Sequence, residues 1–526
     1  MSTWSTTRAP PFPAANTMVI MISVTQRGAP GGWTVLVLLM LPAMARPADW
    51  TVTPTVRLRE SYTDNMNLAP PEQARGQFIT EVSPGVLVST DGPRLQLALS
   101  YTLQKVAYTR QPDRTAQQLD ANGHAELLPD WLFLDARAGI SERNVSAFGP
   151  QLIDPALTNS NSTTVRTQAF SPYLRHYFRG FATALLRYDY QHAGSGGLLD
   201  VRSTGETLQL TGDNGGRGWN WDLSLQRTQL DDAALAPVTM SNAALTLSYP
   251  VNSNISVFGT AGYEKQDYHS ASAQPQGRFG TIGGVWTPSP HTRLSASIGH
   301  RFFGKTYSLD ASYRLRSMFW TLTYNEDITT THGEFFSVRP EGLTDFLWDL
   351  WATRIPDPQL RMQTIKVFLA ISQMLGTDGN VNFFSHRYYL QKQGRLSGVY
   401  STPRSALAVH LATTGRSGQT SNAIDSVILG PDELTLTDRT RQTSLQAGWN
   451  WRMSARGSLT LGASHSRAKS LTTGREDHNS ALTLSLTRQL SSRISASADL
   501  RHVRHTSNKG GNYRENGVGA TVIVAF

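Results

Sequence analysis

One pattern runs through almost the whole chain and restricts what it can fold into. From Trp50 onward, apolar and polar residues alternate over runs of about 9 to 14 residues, and each run ends in a cluster of Gly, Pro, Asn, Asp or Ser. Successive side chains of a β-strand point to opposite faces, so a period of two predicts strands with one apolar and one polar face. The sequence therefore predicts an all-β fold of many strands joined by turns.

The alternation is clearest in six segments, and the turns between such segments divide the chain into about 22 strands, an even number as single-chain bacterial barrels require. The apolar residues that share a face are Leu95, Leu97, Leu99 and Tyr101; Leu132, Leu134, Ala136, Ala138 and Ile140; Ile255, Val257, Gly259, Ala261 and Tyr263; Leu294, Ala296 and Ile298; Tyr307, Leu309, Ala311 and Tyr313; and Leu482, Leu484 and Leu486.

Composition favours strands that span a membrane. Charged residues make up 17% of the chain, against about 25% in ordinary globular proteins. Mean hydropathy is nevertheless negative, at -0.31, and after the N-terminus no run approaches the roughly 20 apolar residues that a membrane helix needs. A transmembrane barrel tolerates this polarity, because only every second residue faces lipid. We therefore expect an antiparallel transmembrane β-barrel of about 22 strands.

The connections and the aromatic residues support the same fold. Short turns largely alternate with longer loops, as expected when both chain termini lie in the periplasm and the long loops lie outside the cell. The exceptions are a short outer connection near Gly304 and a longer inner turn from Gly212 to Gly218. Aromatic residues concentrate near the short turns, which is typical of a girdle at a membrane interface. The residues concerned are Trp131, Tyr177, Trp219, Trp221, Tyr249, Trp286, Trp320, Trp449 and Trp451.

The last strand, GVGATVIVAF, carries a specific signal. One face holds alternating apolar residues and ends in an aromatic residue at the terminus of the sequence; its members are Val518, Ala520, Val522, Val524 and Phe526. This ending resembles the C-terminal signal by which outer-membrane proteins are passed to the barrel-assembly machinery. The alternative is an edge strand that simply ends the protein, but an exposed apolar edge promotes aggregation, whereas a barrel pairs it with the first strand.

Residues 1–45 are predicted to be a signal peptide, which leaves residues 46–526 as the barrel. Arg27 precedes an apolar run from Trp33 to Leu41, and Ala43, Met44 and Ala45 form a small-x-small cleavage site. Met18 or Met21 is an alternative start. A membrane anchor is the weaker interpretation, since the apolar run is too short to span a bilayer.

One interval, 342–376, has a helical period instead. Leu343, Phe346, Leu347, Leu350 and Trp351 recur at helical spacing, and a second helical pattern follows two prolines. The sequence predicts a helical hairpin inserted in one outer loop. It could be a packed loop over part of the barrel mouth, a plug or gate, or a helix lying against the membrane or a partner.

The polar faces of the strands carry candidate residues that line the lumen. The bases are Arg137, Arg187, Arg301, Arg314 and Arg501, and the acids are Asp189, Glu264, Asp310 and Asp499. Mixed charges of this kind can select and orient solutes, or can hold the inner wall of a large barrel together.

Several function classes lack support in the sequence. There is no cysteine, and none of the usual nucleophile, zinc-helix or phosphate-loop motifs occurs, so we expect no catalytic, cofactor-binding or metal site and no enzyme. The net charge of +9 is dispersed along the chain rather than gathered in a patch, which argues against nucleic acid as a partner. Membrane lipid is the expected surroundings.

The opening of the mature chain resembles a known family. The stretch RLRESYTDNMNLAP from Arg57 to Pro70, the SPGV at Ser83 to Val86 and the LQLALSYTLQKVAY that ends at Tyr108 are similar to the start of outer-membrane β-barrel proteins associated with the PEP-CTERM/exosortase system. The resemblance implies a role beside exopolysaccharide export or assembly, with the polymer and its export proteins as partners. It carries over no catalytic or binding residues.

Three hypotheses follow. The first is a channel or structural component for exopolysaccharide export. The second is a general diffusion porin with an open, water-filled lumen. The third is an outer-membrane enzyme acting on lipid or glycan through a serine and a histidine, since both residue types are plentiful.

Overall fold

The computed structural model describes residues 50–152, 154, 156–157, 161–212, 218–268, 275–336, 384–420 and 435–526. These residues form strands β1 (Trp50–Thr63), β2 (Gln77–Asp91), β3 (Leu95–Tyr108), β4 (Arg114–Leu128), β5 (Leu132–Asn144), β6 (Ser162–Phe178), β7 (Ala182–Ser195), β8 (Leu199–Gly212), β9 (Asn220–Asp232), β10 (Val238–Pro250) and β11 (Ile255–Gln266). The remaining elements are β12 (Gln276–Ser289), β13 (Thr292–Arg301), β14 (Gly304–Arg314), β15 (Met318–Thr329), helix α1 (Thr331–Phe336), β16 (Tyr389–Ser401), β17 (Ser405–Gly418), β18 (Arg439–Ser454), β19 (Gly457–Ser470), β20 (Glu476–Gln489), β21 (Ile494–Ser507) and β22 (Tyr513–Ala525).

The sheet is a closed barrel. Each strand pairs antiparallel with the next one in sequence, and β22 returns to pair with β1 from Thr55 opposite Ala525 to Thr63 opposite Gly517. The backbone N–H of Phe526 adds a hydrogen bond of 3.0 Å to the carbonyl of Pro54 beyond the last paired residues. The predicted antiparallel barrel of 22 strands is thus confirmed, and closure leaves no unpaired sheet edge.

The two ends of the barrel differ. Connections such as 92–94, 290–291 and 455–456 are short and lie at the end that also holds residue 50 and residue 525; we call it the short-turn end. Connections such as 64–76 and 471–475 lie at the opposite, long-loop end, as do the described residues of the connections after β5 and β17. Most connections therefore follow the alternation expected from the sequence; the exceptions are 196–198 and 302–303, which are short connections at the long-loop end, and 213–219, which is a longer connection at the short-turn end. An even strand number places both ends of the sheet on the same side.

Side-chain exposure alternates along the strands and shows which face points outward. In β1 the apolar side chains of Leu58 and Tyr62 are 49% and 38% exposed, whereas Ser61 and Thr63 between and beyond them are buried. The last strand behaves likewise, with Val518 and Val522 exposed and Glu515 buried. A wall with large apolar side chains outside and polar ones inside is stable when lipid, not water, surrounds it.

Aromatic side chains form a band at the short-turn end, where the sequence predicted them. Trp131, Tyr177, Trp219 and Trp286 are strongly exposed. The rings also contact one another across strands, with a centroid distance of 5.2 Å from Trp219 to Tyr249. Such a band matches the interfacial girdle of membrane barrels.

The helix of the described residues is short. The hydroxyl of Thr330 accepts a hydrogen bond of 3.0 Å from the backbone N–H of Gly333, which caps the start of α1. The predicted helical insert 342–376 lies outside the described residues, as does the predicted signal peptide 1–45. Within the residues that are described, no helix combines the length and apolar character needed to cross a membrane.

Candidate functional site

All nine lumen candidates lie on the inward strand face. Asp499 and Arg501, for example, alternate with Leu500, whose side chain is 55% exposed on the outside. Arg137, Asp310 and Arg314 occupy the same inward parity on β5 and β14. The structure gathers the other candidates into three ionic groups, two on the wall and one that holds a loop.

The two wall groups are compact. The Arg187 guanidinium contacts the carboxylate of Asp189 at 2.8 Å and that of Asp135 at 3.0 Å. The Arg301 guanidinium contacts Glu264 at 2.6 Å and Asp327 at 2.9 Å. Both groups join neighbouring or near-neighbouring strands, so they stabilise the wall as the structural interpretation of these charges predicted.

The third group attaches a loop to the inside of the barrel. The carboxylate of Asp154, in the 145–161 connection between β5 and β6, contacts Arg59 of β1 at 2.9 Å and Arg501 of β21 at 2.5 Å. Because β1 and β21 are several strands away from β5 around the wall, a connection of this length reaches them through the lumen. We call the described residues of this connection, 145–152, 154, 156–157 and 161, the first inward segment.

Asp154 is held in its charged form. Burial alone would raise the pKa of this carboxyl, but the guanidinium groups of Arg59 and Arg501 and a hydrogen bond from the backbone N–H of Ala156 hold its pKa well below the usual range. Arg501 also donates to Glu515 at 2.8 Å, and Arg59 lies 3.3 Å from Asp499. The charges therefore alternate in sign through this buried group, which offsets the cost of desolvation.

Further contacts fix the first inward segment. The Tyr108 hydroxyl donates to the carbonyl of Ala156 at 2.8 Å, and the backbone N–H of Gly149 donates to Asp477 at 2.8 Å. Ala156 and Leu157 are buried in an apolar cluster that includes Met66 of the β1–β2 connection. The remaining members of that cluster are Leu68, Ile79, Val106, Ala481, Val503 and Tyr513. The segment is thus packed as well as ion-paired.

A second set of residues, from the β15–β16 connection, enters the lumen beside β6 to β10. The Thr331 hydroxyl accepts a hydrogen bond from the backbone N–H of Ser385 at 3.0 Å, and Phe384 and Tyr388 are buried among apolar residues of the inner wall. His386 contacts the carboxylate of Asp232 at 2.7 Å. We call residues 330–336 and 384–388 the second inward segment.

The two inward segments meet. The backbone N–H of Phe384 donates to the carbonyl of Val145 at 2.9 Å. Phe148 nearby packs with Leu436 of the β17–β18 connection and Ala468 of β19. A small pocket lies at this junction, next to Phe148, Phe384 and Arg416. Together the segments fill part of the lumen at the long-loop end.

Two serine–histidine contacts bear on the enzyme hypothesis. The Ser397 hydroxyl lies 2.8 Å from Nδ1 of His410, and the Ser480 hydroxyl lies 2.9 Å from Nδ1 of His465. Catalysis by such a pair also needs a group that orients the histidine and donors that stabilise an oxyanion. Among the described residues, His465 has no carboxylate partner, and no cluster of three or more potential metal ligands occurs.

The first inward segment was not predicted from the sequence. Its residues, including Asp154, fall in a loop without periodicity, and sequence spacing says nothing about which distant strands a loop will reach. The one available signal was its length, because long loops in compact proteins tend to have a role. Arg501 and Asp499, by contrast, were identified by their position on a polar strand face.

Comparisons with known proteins give likeness of fold. Neither a protein family model nor a curated protein matches the chain. The siderophore receptor PirA from Pseudomonas aeruginosa is similar with a TM-score of 0.45 and 9% identity, over 91% of this chain and 81% of that one. The FrpB iron transporter from Neisseria meningitidis is similar with a TM-score of 0.46 and 9% identity, over 90% of this chain and 81% of that one. OpdK from Pseudomonas aeruginosa, solved with vanillate, is similar with a TM-score of 0.34 and 8% identity, over 90% of this chain and 99% of that one.

The chain's own architecture defines its class. A closed wall of 22 antiparallel strands, apolar side chains outside, polar side chains inside and a band of aromatic residues at one end are the features of an outer-membrane β-barrel. The barrel fold resembles Gram-negative outer-membrane proteins.

Proposed function

We propose that the protein is a channel of the Gram-negative outer membrane whose long-loop end is closed by its own inward segments and opens when they move. A barrel of 22 strands is wide enough for a substantial channel unless something fills it. The binding of Asp154 to Arg59 and Arg501 carries the proposal, since it holds a loop inside the lumen by contacts that one substitution can break.

The ionic group is suited to two states. With Asp154 in place, its carboxylate is shared by Arg59 and Arg501. When it leaves, Arg59 stays paired with Asp499 and Arg501 with Glu515, so the charges of the wall still balance. Removing one partner of a buried ion pair costs about 3 to 5 kcal/mol, which corresponds to a change of more than about a hundredfold in a two-state equilibrium.

The test is single-channel conductance in planar bilayers. We expect the unmodified protein to be closed for most of the recording and Asp154→Asn to be open for a much larger fraction of it. Asp189→Asn is the matched control, because Asp189 pairs with an arginine of the wall but holds no loop. Equal open fractions for the unmodified protein and Asp154→Asn, or an equal rise in the control, would contradict the proposal.

The proposed cargo is exopolysaccharide, with the protein acting in its export or assembly. Support comes from the resemblance of residues 57–108 to barrels associated with the PEP-CTERM/exosortase system. The interspersed acids and bases of the inner wall, such as the Arg187 and Arg301 groups, offer hydrogen-bonding partners to a hydrophilic polymer. Export through the signal peptide, recognition of Phe526 by the assembly machinery, and contact with polymer-export proteins belong to the same proposal.

Deletion of the gene distinguishes exopolysaccharide export from the porin and enzyme hypotheses. Loss of surface polymer with unchanged uptake of small solutes is the expected result. A diffusion porin would give the reverse. An enzyme would instead lose activity on lipid or glycan when Ser480 or Ser397 is replaced by alanine, with surface polymer and conductance unchanged.

A further inference from the structure

The outward face of the barrel carries a concentration of cations at the long-loop end of four strands between β18 and β22. Its members are Arg439 and Arg441 of β18, Arg467 and Lys469 of β19, Arg504 of β21 and Arg514 of β22; we call them the rim cluster. They share their strand face with the exposed residues Leu445, Leu500 and Val518, so they point away from the lumen.

The rim cluster lies just beyond the apolar surface. Arg441, Arg504 and Arg514 each come four residues after the last large exposed apolar side chain of their strand, counted toward the long-loop end. At about 3.4 Å per residue this is roughly 13 Å along the strand, less the effect of strand tilt. For a barrel whose apolar band spans the hydrocarbon, such side chains stand at the level of the lipid headgroups.

Like charges face each other directly in the rim cluster. Arg504 is paired opposite Arg514, and Arg441 is paired opposite Lys469. Directly opposed side chains of an antiparallel pair have their Cβ atoms about 4.5 to 5.5 Å apart, and like charges at that distance are destabilising. An anion between the two side chains turns this repulsion into attraction.

Carboxylates neutralise only part of the cluster. Glu476 contacts Arg467 at 2.8 Å and Lys469 at 3.4 Å, and Asp64 at the flank accepts a hydrogen bond of 2.6 Å from Asn516. In the described part of the chain, Arg441, Arg504 and Arg514 form no ion pair with another residue. Three guanidinium groups therefore remain available to an external anion.

Other parts of the same rim are arranged differently. On β8 and β9 the outward pairs are of opposite sign, with Arg202 opposite Asp231 and Glu206 opposite Arg227. On β15 and β16, Glu326 is opposite Lys392 at 3.2 Å. Cross-strand complementarity is thus the arrangement on these strands, and the like-charged pairs of β18 to β22 depart from it.

We propose that the rim cluster binds the phosphate groups of acidic glycolipids in the outer leaflet, with their acyl chains lying on the apolar face of β18 to β22. Arginine suits this role, because its planar guanidinium binds phosphate oxygens in pairs. A phosphate between Arg504 and Arg514 would relieve their repulsion. The inference rests on the outer-membrane location given under the proposed function, but not on a channel or its cargo.

The test measures lipid binding to the purified barrel in zwitterionic detergent. The probe is diphosphorylated lipid A. The readouts are the amount of lipid that stays bound in native mass spectrometry and the unfolding temperature, measured by heating samples and separating folded from unfolded barrel by gel electrophoresis. The double variant Arg504→Gln/Arg514→Gln should bind on the order of tenfold more weakly. Arg202→Gln/Arg227→Gln removes the same charge elsewhere on the rim and should bind like the unmodified protein.

Three outcomes would overturn the proposal. An equal loss in both double variants would indicate unspecific attraction, and equal retention of dephosphorylated lipid would exclude the phosphates. The same stabilisation by inorganic phosphate alone would indicate a small-anion site instead of a lipid site. Misfolding is excluded separately, because without lipid Arg504→Gln/Arg514→Gln should unfold at the same or a higher temperature once the repulsion is gone. Conductance plays no part, so failure of the channel proposal remains distinguishable.

Discussion

His332 of the second inward segment is buried and, in the described part of the chain, forms no ion pair. Its side chain is 4% exposed, and in the described structure Nε2 has no hydrogen-bond partner. Burial, with a smaller contribution from His192, lowers the pKa of His332 to about 4 although Asp232 opposes the shift. His386, which contacts Asp232, and Glu334 of α1 are the other titratable groups nearby. The neutral imidazole is therefore the form that fits.

This depressed pKa predicts that α1 detaches as the pH falls. When α1 is detached, His332 takes up a proton near its usual pKa of about 6.5. Its contribution to the stability of the attached helix is therefore complete above about pH 6.5 and decreases between about pH 6.5 and pH 4. The loss approaches the order of 3 kcal/mol. Hydrogen exchange of residues 331–336, corrected for intrinsic rates, should accelerate over this range, and His332→Gln should flatten the profile while His300→Gln on the outer wall should not. A pH-independent profile in the unmodified protein would contradict the assignment.

Asp154 predicts a second, more acidic transition. Its pKa is depressed in the folded protein, so the stability it supplies to the first inward segment is present above the usual carboxyl pKa of about 3.9 and is lost below it. We expect the open fraction in planar bilayers to increase below about pH 4 in the unmodified protein. Asp154→Asn should be open at neutral pH with no such step. A step that persists in the variant would assign it to another group.

For single residues, the sequence predicted which side chains face the lumen but not which of them contact each other. Asp499 and Arg501 were found because inward residues recur with a period of two. Their contacts with Arg59 and Asp154 depend on strand closure and on the path of a loop, neither of which is encoded in local spacing.

Pairs of tryptophan and glycine connect neighbouring strands near the short-turn end. Trp320 on β15 lies opposite Gly398 on β16, and Trp221 on β9 lies opposite Gly212 on β8. A Cβ at Gly398 would come within 2.3 Å of the Trp320 ring. The ring therefore covers a strand position that has no side chain of its own, which is a known way of offsetting the poor strand propensity of glycine.

Gly398→Ala should disturb this pair while Gly394→Ala should be tolerated. At Gly394 the nearest atom to an added Cβ is a methyl of Thr413 at 3.5 Å, which is ordinary contact. We expect a loss of about 1 to 3 kcal/mol for Gly398→Ala, as for other overpacked sites. Urea unfolding of the barrel in vesicles, followed by tryptophan fluorescence, measures it. Equal stability of both variants would mean that the Trp320 ring moves aside freely.

Strands were more predictable than helices in this chain. A strand of about a dozen residues repeats its period several times, and turn residues mark both ends. Helix α1 has six residues, which are too few for a helical period to be visible. Its capping residue, Thr330, is of a type that is common in strands and loops as well. The predicted helical insert 342–376 remains a prediction.

The whole barrel depends on its apolar exterior. Leu482 lies in the middle of β20 and is 49% exposed on the outer face, whereas Ser485 faces the lumen opposite Asp499. Arginine on the lipid face near the bilayer centre costs about 2 to 4 kcal/mol. Leu486, which is 46% exposed and lies four residues farther from the long-loop end than Leu482, is nearer the bilayer centre. Leu486→Arg should therefore reduce the free energy of unfolding in vesicles by about that amount, and Ser485→Arg should change it little. Equal effects would contradict the assignment of the faces.

Strand number and closure could be predicted because every turn adds one strand and an even count brings the last strand back to the first. The filling of the lumen could not, since it arises from loops that pack only against the finished wall. The buried cluster around Met66 and Leu157 draws on β2, β3, β20, β21 and β22. With the β1–β2 and β5–β6 connections, seven separate parts of the chain form this cluster, and no local sequence pattern predicts it.

The contacts of Asp154 also impose an order of events on assembly. Arg59 and Arg501 belong to the first strand and the second-last strand, which become neighbours in space only when β22 pairs with β1. An open sheet therefore has no binding site for the 145–161 connection, although that connection is synthesised long before β21 and β22. Binding of Asp154 to both arginines must therefore follow closure of the barrel, so these contacts form only in a barrel whose last strand has paired with its first.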